Sequence, residues 1–111
     1  NDYCLKSKKF FVSGAISKFD GHVFSFNFNK KEDPCLRCFF QETAISEDIL
    51  NCEYEGILGS VAGIIGAIQA NEVLKQILNI GKNLNGNILI LDLLNLNFRM
   101  VKLNKRQKCL C

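Results

Sequence analysis

Apolar and polar positions change period several times along this chain, and each change marks an element. In "KKFFVSGAISKFDGHVFSFNFNKK", residues 8–31, two β-rich runs flank Asp20-Gly21, a dipeptide that supplies the positive φ values of a tight hairpin turn. In the second run Phe24, Phe26 and Phe28 alternate with Ser25 and Asn27, the pattern of a half-buried strand with one apolar face. The first run, Phe10 to Ile16, is apolar on both faces apart from small residues, and is expected to lie deeper. From Gly56 to Ile80 the period becomes helical. Ile57, Leu58, Val61, Ile64, Ile65 and Ile68 make the first half apolar all round, Val73, Leu74, Ile77 and Leu78 form a stripe in the second, and Gly81 follows as a C′ residue. Gly59, Gly63, Gly66, Ala67 and Ala70 place small residues where another backbone comes close. Packing on a sheet explains that pattern better than a helix–helix seam, which such spacing diagnoses only in membranes. Ile88 to Leu94 reads as a central strand covered on both faces. Leu96, Phe98 and Met100 alternate with Asn97 and Arg99, so the last strand is more exposed. The segment Gln41–Asn51 has no strong period and carries three carboxylates, which predicts an irregular loop. "NDYCLKSKKF" reads as the end of a helix already under way, so the chain is expected to be a fragment of something longer.

Composition limits what such a fold does. The 111 residues are one domain at most, and 48% hydrophobic content suffices for a modest core. A net charge of +3, scattered except between Lys102 and Lys108, is too thin for a nucleic-acid face. The longest apolar stretch, Ile57 to Ile68, falls short of the roughly 20 residues a membrane-spanning helix needs. No basic segment with a small-residue cleavage site opens the chain. Six cysteines amid long aliphatic runs argue against a secreted disulfide scaffold. The expected location is the cytoplasm, with neither nucleic acid nor membrane as partner.

The cysteines carry the chemistry. "PCLRC" supplies Cys35 and Cys38, and "CLC" at the end supplies Cys109 and Cys111. Two short-range pairs far apart in sequence suit a tetrahedral four-thiolate zinc site, since each pair needs little backbone strain and the metal ties distant loops together. Arg37, Lys105, Arg106 and Lys108 would offset the charge of four thiolates. Ordinary reduced cysteines and a redox-active C-x-x-C are the competing readings. The redox reading expects the pair to open a helix after a strand, whereas here it follows a hairpin and precedes an acidic loop. Cys52 stands before the long helix, whose N-terminus would favour a thiolate, so it is a candidate nucleophile set against an inert buried cysteine. Cys4 is expected to pack as a small hydrophobe, and His22 is assigned no role.

Taken together, "VSGAISKFDGHVFSFN", "PCLRC", "CEYEGILGSVAGIIGAIQANEVLKQI", "LLNLNFRMVKL" and the closing cysteines closely resemble the C-terminal half of the HesA/MoeB/ThiF family, bacterial relatives of the ubiquitin-activating enzymes. The resemblance covers essentially the whole chain. It implies an α/β architecture, the C-terminal part of a Rossmann-like ubiquitin-activating-enzyme fold: a β-hairpin, a long glycine-rich helix and two further strands, with a zinc site joining loop and C-terminus. It implies an adenylyltransferase that uses ATP and magnesium on the C-terminal glycine of a ubiquitin-like sulfur-carrier protein, serving molybdopterin, thiamin or related sulfur chemistry. The family's structural zinc ligands map onto Cys35, Cys38, Cys109 and Cys111, although the last pair is C-x-C where the family has C-x-x-C. Cys52 falls where some members carry a reactive cysteine. The acidic segment corresponds to a stretch that crosses the carrier's Gly-Gly tail.

The family's glycine-rich phosphate turn belongs to its N-terminal half and has no counterpart here; Gly59, Gly63 and Gly66 have another spacing and sit within a helix. Residues 1–111 are therefore expected to be the C-terminal fragment of a ThiF/MoeB-type adenylation domain, inactive alone. A zinc-stapled interaction module, or a remnant of such an enzyme, is the alternative. A missing half would leave Ile57, Ile64 and Ile68 uncovered, so a homo-oligomer, a dimer in the simplest case, is expected.

Overall fold

The computed structural model describes residues 1–40 and 56–109. In chain order these form α1 (Asp2–Lys6), β1 (Phe11–Ser17), β2 (Asp20–Phe26), α2 (Leu36–Phe39), α3 (Gly59–Leu78), β3 (Asn87–Asp92) and β4 (Asn97–Lys102). The strands make one antiparallel sheet in the order β1-β2-β3-β4. Helix α3 lies across β1 and β2. On the opposite face α1, α2 and the chain from Leu103 to Cys109 pack over Phe24, Phe26 and Ile88. The fold is thus the α/β arrangement of hairpin, long helix and two further strands read from the sequence. Among the described residues no helix is long and apolar enough to cross a membrane.

The hairpin turns earlier than its sequence suggests. Ser17 pairs with Asp20, leaving Lys18 and Phe19 as the two-residue turn, with Lys18 at φ 40°. Gly21 lies inside the ladder opposite Ile16, and what demands a glycine there is packing. A Cβ at Gly21 would stand 2.6 Å from Ile65 Cδ1, and one at Gly14 would stand 2.7 Å from Gln69 Cδ. These two strand glycines let α3 settle onto the sheet. The helix's own Gly59, Gly63 and Gly66 have nothing within 4 Å of where a Cβ would be, so its small residues do not mark the close approach.

The inner stripe of α3 is Val61, Ile65, Ile68 and Glu72, at the three- and four-residue steps of one helix face. Ile57, Ile64, Val73, Leu74 and Ile77 are exposed, whereas Ile68 packs half-buried against Val61, Ile65 and their neighbours. The expected exposure of Ile57 and Ile64 therefore holds, and that of Ile68 does not. The helix ends at Asn79, which takes the left-handed conformation (φ 53°, ψ 46°) while the Ile80 N–H bonds the Lys75 carbonyl. Gly81 has positive φ two residues later.

Burial within the sheet also departs from the sequence pattern. β1 is an edge strand of half-buried and exposed residues, and β2 is the deep one. Phe24 and Phe26 face the thiols, while Val23 packs against the α3 side; all three are buried, as is Ser25. Ser25 looked like a solvent-facing position because it is polar, yet its hydroxyl donates to Glu72 Oε2 at 3.0 Å. β3 sits between β2 and β4 with Ile88 and Leu91 buried, though the strand ends at Asp92 and Leu94 is exposed. All six residues of β4 are exposed, as its alternation suggests.

Glu72 is the charged group buried at the heart of the α3 side, 3% exposed. Oε2 accepts from the Leu84 N–H at 2.8 Å, Ser25 Oγ at 3.0 Å and Asn83 Nδ2 at 3.2 Å, and Lys75 pairs with Oε1. Burial pushes this carboxyl up, but the Lys75 ammonium, the Leu84 N–H, Ser25 and Asn83 together outweigh it and hold it below its ordinary 4.5. Because the folded value lies below the unfolded one, the stabilisation is complete above about pH 4.5 and is lost as pH falls through the folded value. Glu72→Leu, which strands three donors, should cost about 3 kcal/mol in urea unfolding at pH 7. Glu72→Gln should cost less and should flatten the stability loss between pH 5 and pH 3; an unchanged acid profile would show that this carboxylate is not the group responsible.

Candidate metal centre

Phe26 closes β2, and the chain then bends through Phe28, whose φ of 49° is unusual for a bulky side chain. The bend keeps the rings in register. Phe24 and Phe26 stack at 5.7 Å between centroids, Phe26 and Phe28 at 5.9 Å, and Phe11 joins Phe26 at 6.0 Å. Phe28 is only 5% exposed, and that burial offsets the local backbone cost. The resulting aromatic floor is where Cys35 and Cys38 come to rest.

The path to the floor is set by short-range bonds. Asp33 Oδ2 accepts from the Lys30 N–H at 3.1 Å and the Asp33 N–H returns a bond to the Lys30 carbonyl, a self-closed turn ahead of Pro34. Pro34 packs beside Gly86, whose φ is 75°. Cys35 is extended and acts as N-cap of the one-turn helix α2, and the Cys38 N–H reaches the Cys35 carbonyl at 2.9 Å. The two-residue spacing thereby folds both side chains to the same side.

The third thiol arrives from the other end. After β4 the Leu103 N–H bonds the Gly86 carbonyl at 2.7 Å, Lys105 Nζ reaches the Lys31 carbonyl at 2.7 Å, and a turn brings the Cys109 N–H to the Arg106 carbonyl. Cys109 Sγ ends 3.7 Å from Cys35 Sγ, and Cys38 Sγ lies 4.0 Å from Cys35 Sγ. All three sulfurs fall within 4.8 Å of one another. Four sulfurs bound tetrahedrally to zinc at about 2.3 Å stand about 3.8 Å apart. The spacing is compatible with a ligand set, and the donor chemistry suits zinc.

Of the sequence-predicted ligands the structure brings together Cys35, Cys38 and Cys109; Cys111 lies outside the described residues. So do Cys52 and the acidic segment Gln41–Asn51. The long helix begins at Gly59, several residues beyond Cys52. Of the expected counter-charges, Arg37 grips Asp2 of α1, with Nε to Oδ1 at 2.9 Å and Nη2 to Oδ2 at 2.6 Å, and Lys105 binds the Lys31 carbonyl. The Arg37 bonds, with help from Asn1, hold the Asp2 carboxyl at about 2.

Cys4 packs half-buried on the same cluster, as a small hydrophobe does. His22 stands apart from the sulfurs, edge-on to Phe24 at 5.1 Å and beside Phe39 and Phe40, and burial pushes its imidazole down toward the neutral form. Sequence reasoning missed this aromatic group. Its signal was the Phe39-Phe40 pair directly after the second thiol.

A family model described as the ThiF family matches residues 1–111. The adenylyltransferase and sulfurtransferase MOCS3 of Drosophila grimshawi is 39% identical over 110 residues, 98% of this chain and 24% of that protein. The protein of the same name from Aedes aegypti is 38% identical over 107 residues, and that from Sus scrofa 34% over 107, each across 96% of this chain. This chain spans about a quarter of the length of these curated relatives. Among solved structures, E. coli MccB bound to succinimide superposes with a TM-score of 0.74 at 13% identity, covering 99% of this chain and 34% of MccB. MccB with AMPCPP and MccA gives the same TM-score of 0.74. At that identity the likeness establishes the fold.

Proposed function

The chain belongs to the ThiF family, and on that premise we propose that it is the C-terminal part of an adenylyltransferase that activates the C-terminal glycine of a ubiquitin-like sulfur-carrier protein for sulfur transfer. The observation that carries this reading is the 39% identity, over 98% of the chain, to a relative named for both activities. ATP and magnesium belong to that chemistry, but the sequence carries no glycine-rich phosphate turn of the family's form: Gly59, Gly63 and Gly66 have another spacing and lie within α3. No nucleotide step is therefore assigned to its residues. Its part is to offer a sheet and a metal-fastened loop to the rest of the enzyme. The polypeptide that includes a glycine-rich phosphate turn should exchange pyrophosphate into ATP when a carrier ending in Gly-Gly is added. A chain of residues 1–111 alone should not. Exchange with a carrier lacking the Gly-Gly tail would sink the substrate assignment.

We assign zinc to Cys35, Cys38 and Cys109, with Cys111 as fourth ligand. Bound there, zinc would cross-link the α2 turn to the tail and supply no reactive group, since four thiolates leave no open position for substrate. Protein purified from zinc-containing medium should hold about one zinc per chain. Cys38→Ser should lose most of it, because one missing thiolate breaks the tetrahedron. If Cys111→Ser keeps full affinity, the fourth ligand is another group.

Cys52 we place as the reactive cysteine on resemblance to those members that carry one. With the zinc ligands shielded and Cys4 half-buried, brief alkylation at neutral pH followed by mass spectrometry should mark Cys52 first. Modification of Cys4 ahead of Cys52 would remove it from the chemistry.

A further inference from the structure

We propose that the turn at Lys30–Asp33 and the segment that follows β4 together form a docking surface for an acidic segment of another protein. Along the sequence, Lys30 and Lys31 are one small basic group and residues 102–108 hold another. The fold joins them. Lys105 Nζ donates to the Lys31 carbonyl at 2.7 Å, the Leu103 N–H donates to the Gly86 carbonyl, and Pro34 lies against the same Gly86. Lys30, Lys31, Lys102, Lys105, Arg106 and Lys108 thus meet at one end of the sheet, and all but the half-buried Lys105 are exposed.

Only Glu32 and Asp33 carry negative charge in these two segments, so the excess of cations is larger than the +3 of the whole chain. Asp33 is occupied locally, its Oδ2 accepting from the Lys30 N–H at 3.1 Å while its own N–H bonds the Lys30 carbonyl. Among the described residues none of the six cations is ion-paired; Arg37 with Asp2 and Lys75 with Glu72 are the pairs found there. Gathering like charges with so little acid between them is unfavourable for the isolated fold, yet a closed turn and a carbonyl bond keep them together. An anionic partner turns that repulsion into attraction and speeds encounter.

The make-up of the patch favours carboxylates over a phosphate backbone. Five of its six cations are lysines, point charges without the planar fork that grips phosphate through two bonds. Phe26 and Phe28, the nearest rings in sequence, are buried and offer no base-stacking surface. Glu32 stands exposed within the patch, where the unbroken charge of a nucleic acid would meet it. In an acidic protein segment the carboxylates are discrete, and a neutral or basic residue can stand opposite Glu32.

Fluorescence anisotropy with a labelled peptide of about ten glutamates, added to the zinc-loaded full-length polypeptide that contains this chain, tests the surface. Raising salt from about 50 to about 200 mM should weaken binding about tenfold. Lys30→Glu with Lys31→Glu should weaken it at low salt by about tenfold or more, and Arg106→Glu, on the other segment, by about threefold. Lys82→Glu, equally exposed but placed after α3, should stay within about twofold of the parent. No salt-sensitive binding by the parent, full binding by the turn and Arg106 variants, or an equal loss in Lys82→Glu would each overturn the proposal. An RNA duplex of about 20 base pairs that binds more tightly than the peptide, and is released by the same reversals, would overturn the choice of a protein partner.

Discussion

One buried carboxylate joins the helix to the sheet. Glu72 sits on α3, takes a hydroxyl from near the end of β2 and a backbone N–H from the loop that enters β3, and is balanced by a lysine one turn along. Its charge makes the arrangement directional. Apolar packing alone would let α3 slide along the sheet, because a smooth aliphatic stripe fits many registers, but a desolvated carboxylate with three donors has one. Gly14 and Gly21 complete the constraint by letting Ile65 and Gln69 settle against the strand backbone.

The other face is fastened by different means. There the covering pieces described are α1, the one-turn helix α2 and an irregular tail. Their cohesion comes from an aromatic floor and from three sulfurs that meet on it. The two faces thus have unlike fastenings: a carboxylate with its donors on one, thiols gathered on aromatic rings on the other. The strand between them, β2, serves both, with Ser25 turned to Glu72 and Phe24 and Phe26 turned to the sulfurs.

Period and residue type were enough to find the strands, the long helix and the grouping of Cys35 and Cys38 with Cys109, because those features depend on local order along the chain. What failed were positions whose reason lies across the fold. Gly21 looked like turn chemistry and is a contact with Ile65; Ser25 looked solvated and meets a buried carboxylate. The first strand looked deeper than the second since it is apolar on both faces apart from small residues, yet it lies at the sheet's edge, and Gly14 is small to admit the helix. Glu72 gave no sign at all: a glutamate on a helix is ordinary, and only the arrival of residues 83 and 84 makes it a hub. The asparagine end cap of α3 was likewise hidden behind a nearby glycine.

The meeting of Cys35 with Cys109 spans 74 positions of sequence, and that separation has a topological meaning. Any bond that joins these ends turns most of the chain into a ring, with the long helix, β3 and β4 inside it and the first hairpin hanging as a branch. A ring of that size removes on the order of 4 kcal/mol of freedom from the unfolded chain by the loop-closure estimate. Such a clasp would act where no folded contact can be seen, by making the disordered state smaller.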